Sequence, residues 1–234
     1  DALNNIMRAL LSAVDTASKQ LPASLVATMN QRIIDLGQAS PFLQAGSHAR
    51  LDNDDFRNLI ESLPNKLVEV FSRAVFGGHA VSEFQRAGEA IGDTFTRVLN
   101  SMVALAVVMK AVGMDSDAFV ASLGTGDEAL RAYVTASVDF FDSFRVGTET
   151  FADTLTRISQ AVGGMQAIFQ LAGRPLPDFG TDLDALKKFI TDSITWFQKF
   201  AKDGEKFADT VQRVVQAFAN LNALITQLDT VIAG

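Results

Sequence analysis

The stretch Gly124-Thr-Gly-Asp-Glu-Ala-Leu-Arg-Ala-Tyr-Val-Thr-Ala-Ser-Val-Asp-Phe-Phe-Asp-Ser-Phe144 lies without a gap over Gly180-Thr-Asp-Leu-Asp-Ala-Leu-Lys-Lys-Phe-Ile-Thr-Asp-Ser-Ile-Thr-Trp-Phe-Gln-Lys-Phe200. The register continues, with Glu149-Thr-Phe-Ala-Asp-Thr-Leu-Thr-Arg157 over Glu205-Lys-Phe-Ala-Asp-Thr-Val-Gln-Arg213. About 16 of roughly 38 aligned positions are identical at an offset of about 56 residues, enough to define tandem copies of one unit. A degenerate copy lies upstream, Phe84-Gln-Arg-Ala-Gly-Glu89-Ala-Ile-Gly-Asp93-Thr-Phe-Thr-Arg97. The chain therefore divides into a short-helix region at 1–78, available for docking, a degenerate repeat at 79–126, and repeats at 127–179 and 180–234.

Working outward, the unit reads as helical. Ala, Leu, Gln and Glu are frequent, and alternating Val-Ile-Thr runs bounded by turn pairs are hard to find. Pro22 sits just inside a second helix, Pro41 lies in a loop-like stretch over 37–53, and Pro64 interrupts or restarts a helix. Pro175 and Pro177 break the second half, and Gly113 to Gly126 is another break. Helices are expected near 2–19, 22–36, 53–62, 65–77, 79–112, 127–172 and 182–232. The last two are long for a globular protein. A helix of about 50 residues would run roughly 75 Å, pointing to an elongated bundle or a multichain coiled coil.

Within each copy a shorter period of eleven appears. Tyr133, Phe144 and Leu155 follow it, as do Phe140, Phe151 and Val162. Phe189, Phe200 and Val211 repeat the pattern, and Trp196, Phe207 and Phe218 do so with three aromatics. Eleven residues make almost three helical turns, so such side chains stack in a nearly straight stripe. The bland account of an aromatic stripe is core, and a helix that long cannot bury the stripe alone. The expectation is a dry helix-packing interface along Tyr133, Phe140, Phe144, Phe151, Phe189, Trp196, Phe200, Phe207 and Phe218. Large residues along the seam suggest more than two strands.

Composition narrows the chemistry. The chain has 234 residues, 48% hydrophobic, so it can bury a core and is not generally disordered. It has no cysteine, which removes disulfides, thiolate metal sites and a cysteine nucleophile. With 20 Lys+Arg against 27 Asp+Glu its net charge is −7, unsuited to neutralising the phosphates of a duplex, and no sequence-specific nucleic-acid binding is expected. It begins at Asp1, which suggests a piece or a processed product, and shows no secretory signal. The longest charge-free stretches, 158–173 and 214–228, fall short of the roughly 18 apolar residues of a spanning helix.

Glu-x-x-x-Asp-x-x-x-Arg occurs three times, as Glu89/Asp93/Arg97, Glu149/Asp153/Arg157 and Glu205/Asp209/Arg213. Spacing by four puts each trio on one helix face, so a solvated or interchain ion ladder is expected rather than a metal site. The di-iron bundle signature needs Glu-x-x-His, and no His is near. His48 and His79 are the only histidines and lack partners at ligand spacing, so both read as loop or helix-start residues. Asp52-Asn-Asp-Asp55 departs from a calcium loop at Phe56 and reads as a helix N-cap cluster. The glycine pairs match no phosphate-binding fingerprint. No catalytic residue, cofactor or metal is expected, and the chain does not read as an enzyme.

Tandem helical units with Trp196/Phe207/Phe218, Phe189/Phe200, Phe140/Phe151 and Tyr133/Phe144 at eleven-residue spacing, few prolines and no cysteine resemble the tape measure proteins of long-tailed bacteriophages. The resemblance covers roughly residues 80–232 and rests on pattern and repeat style. It implies a virion protein of the tail lumen or tail tip, a homo-oligomer with threefold symmetry, contacted by tail tube or tail-tip proteins. It also implies length setting, release ahead of the DNA at infection, and contact with the host envelope after ejection. The breaks at 113–126 and 173–180 depart from an unbroken ruler and allow folding back.

Two rivals stand beside it. A soluble helical toxin or translocator would expose an apolar helix to a bilayer, with Val98 to Met109 as the candidate, although Asn100 and Ser101 interrupt it. An intrachain helical bundle could instead serve as an adaptor.

Overall fold

The computed structural model describes residues 2–39 and 53–233, and every regular element among them is helical. In chain order these are α1 Ala2–Ser18, α2 Ala23–Ala39, α3 Asn53–Val75, a 3₁₀ turn at Val81–Phe84, α4 Ile91–Ala111, α5 Ser116–Ser122, α6 Gly126–Phe144, α7 Phe151–Leu171, α8 Leu183–Gln198 and α9 Phe207–Ala233. The all-helical expectation holds. The N-cap assignment of Asp52 and the loop assignment of His48 fall outside the described residues.

The expected 50-residue helices do not exist. The stretch 127–172 is two helices broken at 145–150, and 182–232 is two helices broken at 199–206. Each break has a local cause. Between the helices the chain makes a tight turn, closed by the Glu149 amide on the Val146 carbonyl and by the Glu205 amide on the Lys202 carbonyl, and within these turns Gly147 and Gly204 adopt φ of 55° and 74°, a left-handed conformation that only glycine takes without steric cost. A new N-terminus follows at once: the Thr150 hydroxyl accepts from the Asp153 amide while the Asp153 carboxylate accepts from Thr150 N–H, a capping box that starts α7. The stretch 79–112 likewise resolves into the 3₁₀ turn and α4, and the break at 113–126 contains α5. In the opposite sense, the two helices expected around Pro64 are one, α3, which runs through the proline.

Contacts divide the chain into two compact units, Asp1–Ala106 with Ser116–Asp139, and Val107–Asp115 with Phe140–Gly234. In the first, α2 and α1 pack on α3, and Leu25, Met29, Phe71 and Phe95 are essentially inaccessible. Tyr133 is fully buried there, and its hydroxyl donates to the Met102 carbonyl at 3.0 Å. Burial pushes that hydroxyl's pKa up, so it stays a donor. In the second unit α9 packs on α7 and α8, around Ile168, Phe197, Val211 and Val214. Gly164 of α7 makes this possible: a Cβ there would lie 2.6 Å from Val211 and 2.7 Å from the Phe197 ring.

The eleven-residue stripe is core in the copy at 127–179, at Tyr133, Phe140 and Phe144, and only partly covered in the copy at 180–234, where a second seam carries the packing. Leu130, Val134, Val138 and Phe141 are buried, as are their equivalents Leu186, Ile190, Ile194 and Phe197, at steps of four, four and three. Of the stripe, Tyr133, Phe140 and Phe144 are buried, whereas Phe151, Phe189, Trp196 and Phe207 are half-buried. Phe200 and Phe218 are 44% and 37% exposed, so the ring row at 196, 207 and 218 is not dry within the chain. The reason is angular. Residues four, four and three apart stay under a neighbouring helix in both copies, while the stripe one position earlier is covered in the copy at 127–179 and lies at the shoulder in the copy at 180–234. Phe151 and Phe207 close over the seam, meeting Phe141 and Phe197 edge-on at 5.3 and 6.2 Å.

Candidate functional site

The recurring charged residues converge on three copies of one arrangement, each at a corner where one helical segment ends and the next begins. Glu149 lies in the loop just before α7 and Arg157 is in its second turn, so both reach the same corner. Arg157 donates from Nε to Glu149 Oε1 at 3.1 Å and from Nη2 to Oε2 at 2.7 Å. The same Nη2 donates to the carbonyl of Phe144, the last residue of α6, at 2.5 Å. Thr154 Oγ and the Val146 amide complete the carboxylate's shell.

The other corners repeat these contacts atom for atom. Arg213 donates to Glu205 at 2.9 and 2.8 Å and to the Phe200 carbonyl at 2.6 Å, with Thr210 Oγ and the Lys202 amide on the carboxylate. Arg97 donates to Glu89 at 2.8 and 2.9 Å and to the Phe84 carbonyl at 2.5 Å, with Thr94 Oγ and the Arg86 amide. Each clasp thus ties a carbonyl at the end of one helical segment, which has no acceptor role left within it, to the first turns of the next. The three threonines are buried, at 0%, 1% and 0% exposure.

This corrects the ion-ladder expectation. The guanidinium pairs with the glutamate eight residues before it, and that glutamate precedes the helix rather than lying on its face. Asp93, Asp153 and Asp209 point to solvent, and Asp153 instead closes the capping box with Thr150. The threonines and the Phe carbonyls were missed by spacing alone. Thr94, Thr154 and Thr210 were nevertheless visible as an identity shared by all three copies.

Solvation grades the clasps. In the first, the Arg97 and Glu89 side chains are 6% and 17% exposed; in the second, Arg157 and Glu149 are 14% and 25%; in the third, Arg213 and Glu205 are 37% and 15%. The Arg97 hydrogen bonds hold the Glu89 carboxyl down to about 2, with the Arg86 amide and Thr94 assisting against a burial cost. Arg213 does the same for Glu205, also to about 2, and Arg157 lowers Glu149. All three carboxyls are held in the ionised form that the arginines pair with, so the charge pairing of each clasp persists over the whole physiological range.

Among the described residues no buried side-chain nitrogen or oxygen lacks a hydrogen-bond partner. His79 places Nδ1 2.6 Å from Glu83 and Nε2 3.2 Å from Thr135 Oγ, at the start of the 3₁₀ turn as expected. An open groove of about 750 Å³ lies between α2 and α3 beside the start of α6. Its Arg32 is held by Asp127 and by the Arg73 and Ala74 carbonyls, and its Gln31 by Asp35. No group of three or more His, Asp or Glu side chains that could hold a metal occurs among the described residues. Against known protein families, curated proteins and solved structures, the chain gives no match.

Proposed function

We propose that this chain is a structural component of a bacteriophage tail, a tape measure element of the tail lumen or tail tip, present in several copies and bounded by tail tube or tail-tip proteins. The triplicated clasp carries the reading. The residues that recur from copy to copy fix the geometry of a repeated helical corner, which is what a scaffold requires and what catalysis does not. The chain is not an enzyme. A net charge of −7 suits a protein that leaves ahead of DNA without binding its phosphates, and contact with the host envelope follows that exit. Several copies pack helix against helix along faces one chain leaves bare. The test is made in virions, by labelling the protein in purified tails and by measuring tail length when one repeat is deleted. Absence from tails, or an unchanged length with the shortened protein incorporated, refutes the proposal.

One observation favours a translocator instead. α4, Ile91–Ala111, is long and apolar enough to cross a membrane. Against it, Val98, Met102, Leu105 and Met109 on that helix are completely buried, as in an ordinary core helix. Dye leakage from liposomes on adding the purified chain would decide for the translocator, and inert vesicles would remove it.

A further inference from the structure

We propose that Asp203-Gly204, in the third corner, is a site of self-modification: the aspartate carboxyl closes on the next backbone nitrogen, and the ring reopens as an isoaspartyl linkage that loosens the third clasp. The inference concerns the chain alone and does not rest on the tail role.

The sequence offers this chemistry in one place. Asp203 is the only aspartate followed by glycine, and no asparagine is followed by glycine. Glycine matters because it has no Cβ to crowd the approach of its nitrogen or to restrict the backbone rotation that ring closure needs. The Gly204 nitrogen bonds to Cγ of Asp203, in its carboxylic acid form, as the Cγ–OH bond breaks. The hydroxyl leaves with the amide proton as one water, and the product is a five-membered cyclic imide. Water then adds back at one of the two ring carbonyls. Cleavage of the Cγ–N bond restores aspartate, whereas cleavage between the main-chain carbonyl carbon and the nitrogen leaves the chain running through Cβ and Cγ. No oxidant, cofactor or enzyme enters the balance.

The fold leaves this pair free to react. Both residues are exposed in the loop between α8 and α9, with open space where a Gly204 Cβ would stand. Among the described residues, neither the Asp203 carboxylate nor the Gly204 amide has a hydrogen-bond partner. Asp142 and Asp192, each followed by a small serine, are placed differently: they lie inside α6 and α8, where the helix ladder fixes the next amide. The other two corners lack the pair. The first has Ala87-Gly88-Glu89, with Gly88 at φ 78° close to the 74° of Gly204, and the second has Gly147-Thr148-Glu149.

The consequence follows from position. The turn from Lys202 to Glu205 closes through the Glu205 amide on the Lys202 carbonyl at 2.9 Å, and the Lys202 amide donates to Glu205 Oε2 at 3.0 Å. An isoaspartyl linkage inserts one methylene carbon into the backbone between those ends. The turn then cannot close in the same geometry, and it is this turn that aims the Glu205 carboxylate at Arg213.

The test is to hold the folded full chain in mildly acidic buffer, digest it with chymotrypsin, and follow the peptide 201–207. Mass spectrometry should find a transient form about 18 Da lighter, the imide, and then the original mass. Methyl transfer by an isoaspartate-specific methyltransferase should label this peptide and no other, and the melting temperature should fall as label accumulates. Asp203→Ala, which copies the Ala87-Gly88 turn of the first corner, should abolish the label and hold the melting temperature constant. In Arg213→Met, whose clasp is already cut, the label should still form without a further fall. Absence of label from the folded chain, equal labelling at other aspartates, a modified chain that melts with the unmodified one, or a further fall in Arg213→Met overturns the proposal.

Discussion

Replacing the three clasp glutamates one at a time by glutamine should destabilise the chain in the order Glu89, Glu149, Glu205. Glutamine keeps the size of the side chain but removes its charge, so each arginine loses its counter-ion while staying in place. Arg97 is only 6% exposed, and stranding a buried charge in this way costs roughly 3–5 kcal/mol. Arg157, at 14%, with a glutamate 25% exposed, is partly solvated already, so about 2 kcal/mol is expected. Arg213 is 37% exposed and can turn to solvent, so Glu205→Gln should cost least. Urea unfolding followed by circular dichroism gives the costs. Trp196, the only tryptophan, reports separately on the unit that holds the second and third clasps. Equal losses in all three variants, or the largest loss at Glu205, would refute the idea that solvent exclusion sets the strength of the clasp.

Acid supplies an independent check on the same residues. The Glu89 carboxyl lies near 2 in the folded chain against an ordinary 4.5, so the unfolded chain binds more protons between those values. The stabilisation is therefore complete above about pH 4.5 and is lost as the pH falls through about 2. Glu89→Gln should flatten this acid dependence. A variant with the wild-type slope would show that the clasp does not hold the carboxyl down.

Three further outcomes follow from the packing. Phe197→Ala should cost about 3–5 kcal/mol and Trp196→Ala less than half as much, because the first ring is fully buried and the second is not; urea midpoints by circular dichroism compare them. Gly164→Ala should destabilise the chain by about 1–3 kcal/mol through its clash with Phe197 and Val211, whereas Gly163→Ala, with open space around it, should stabilise it; melting temperatures that fall for the first and rise for the second are the check. Tyr133→Phe removes the donor to the Met102 carbonyl and should cost about 1 kcal/mol, read as a loss of amide-exchange protection in the first unit.

The helical class was legible because composition, proline scarcity and the repeat all point one way. The corners were not, although Gly147 and Gly204 announced them, because the eleven-residue spacing runs straight through both breaks: Phe144 ends α6 and Leu155 lies in α7. A period can survive a bend when the packing on either side is equivalent, and periodicity alone then cannot tell a long helix from two short ones. The ring that is core in both copies was marked by identity: Phe141 and Phe197 match, whereas Phe140, buried, and Trp196, half-buried, differ. The Glu–Arg pairing was half visible. The residues recur, but a spacing of eight has two meanings depending on whether the first member lies inside the helix. The Phe84, Phe144 and Phe200 carbonyls leave no trace in sequence, since every residue carries one.

The corners also change what a ruler made of this chain would measure. As one unbroken helix, a repeat of 56 residues would span about 84 Å. Folded as α8 and α9, which pack against each other, its helices have 16 and 27 residues and the longer is about 40 Å. Under the proposed tail role, removing the repeat at 180–234 should therefore shorten tails by about 84 Å if the clasp opens on assembly, and by about 40 Å or less if it stays shut. Pairing the deletion with clasp variants separates these cases. If the closed corner sets the length, Arg213→Met in the undeleted protein should lengthen tails, since the Phe200 carbonyl is released and α8 can continue toward α9. If the corner is already open in the tail, the same substitution should leave length unchanged. A tail shortened by neither amount on deletion would mean that length is set by something other than these repeats.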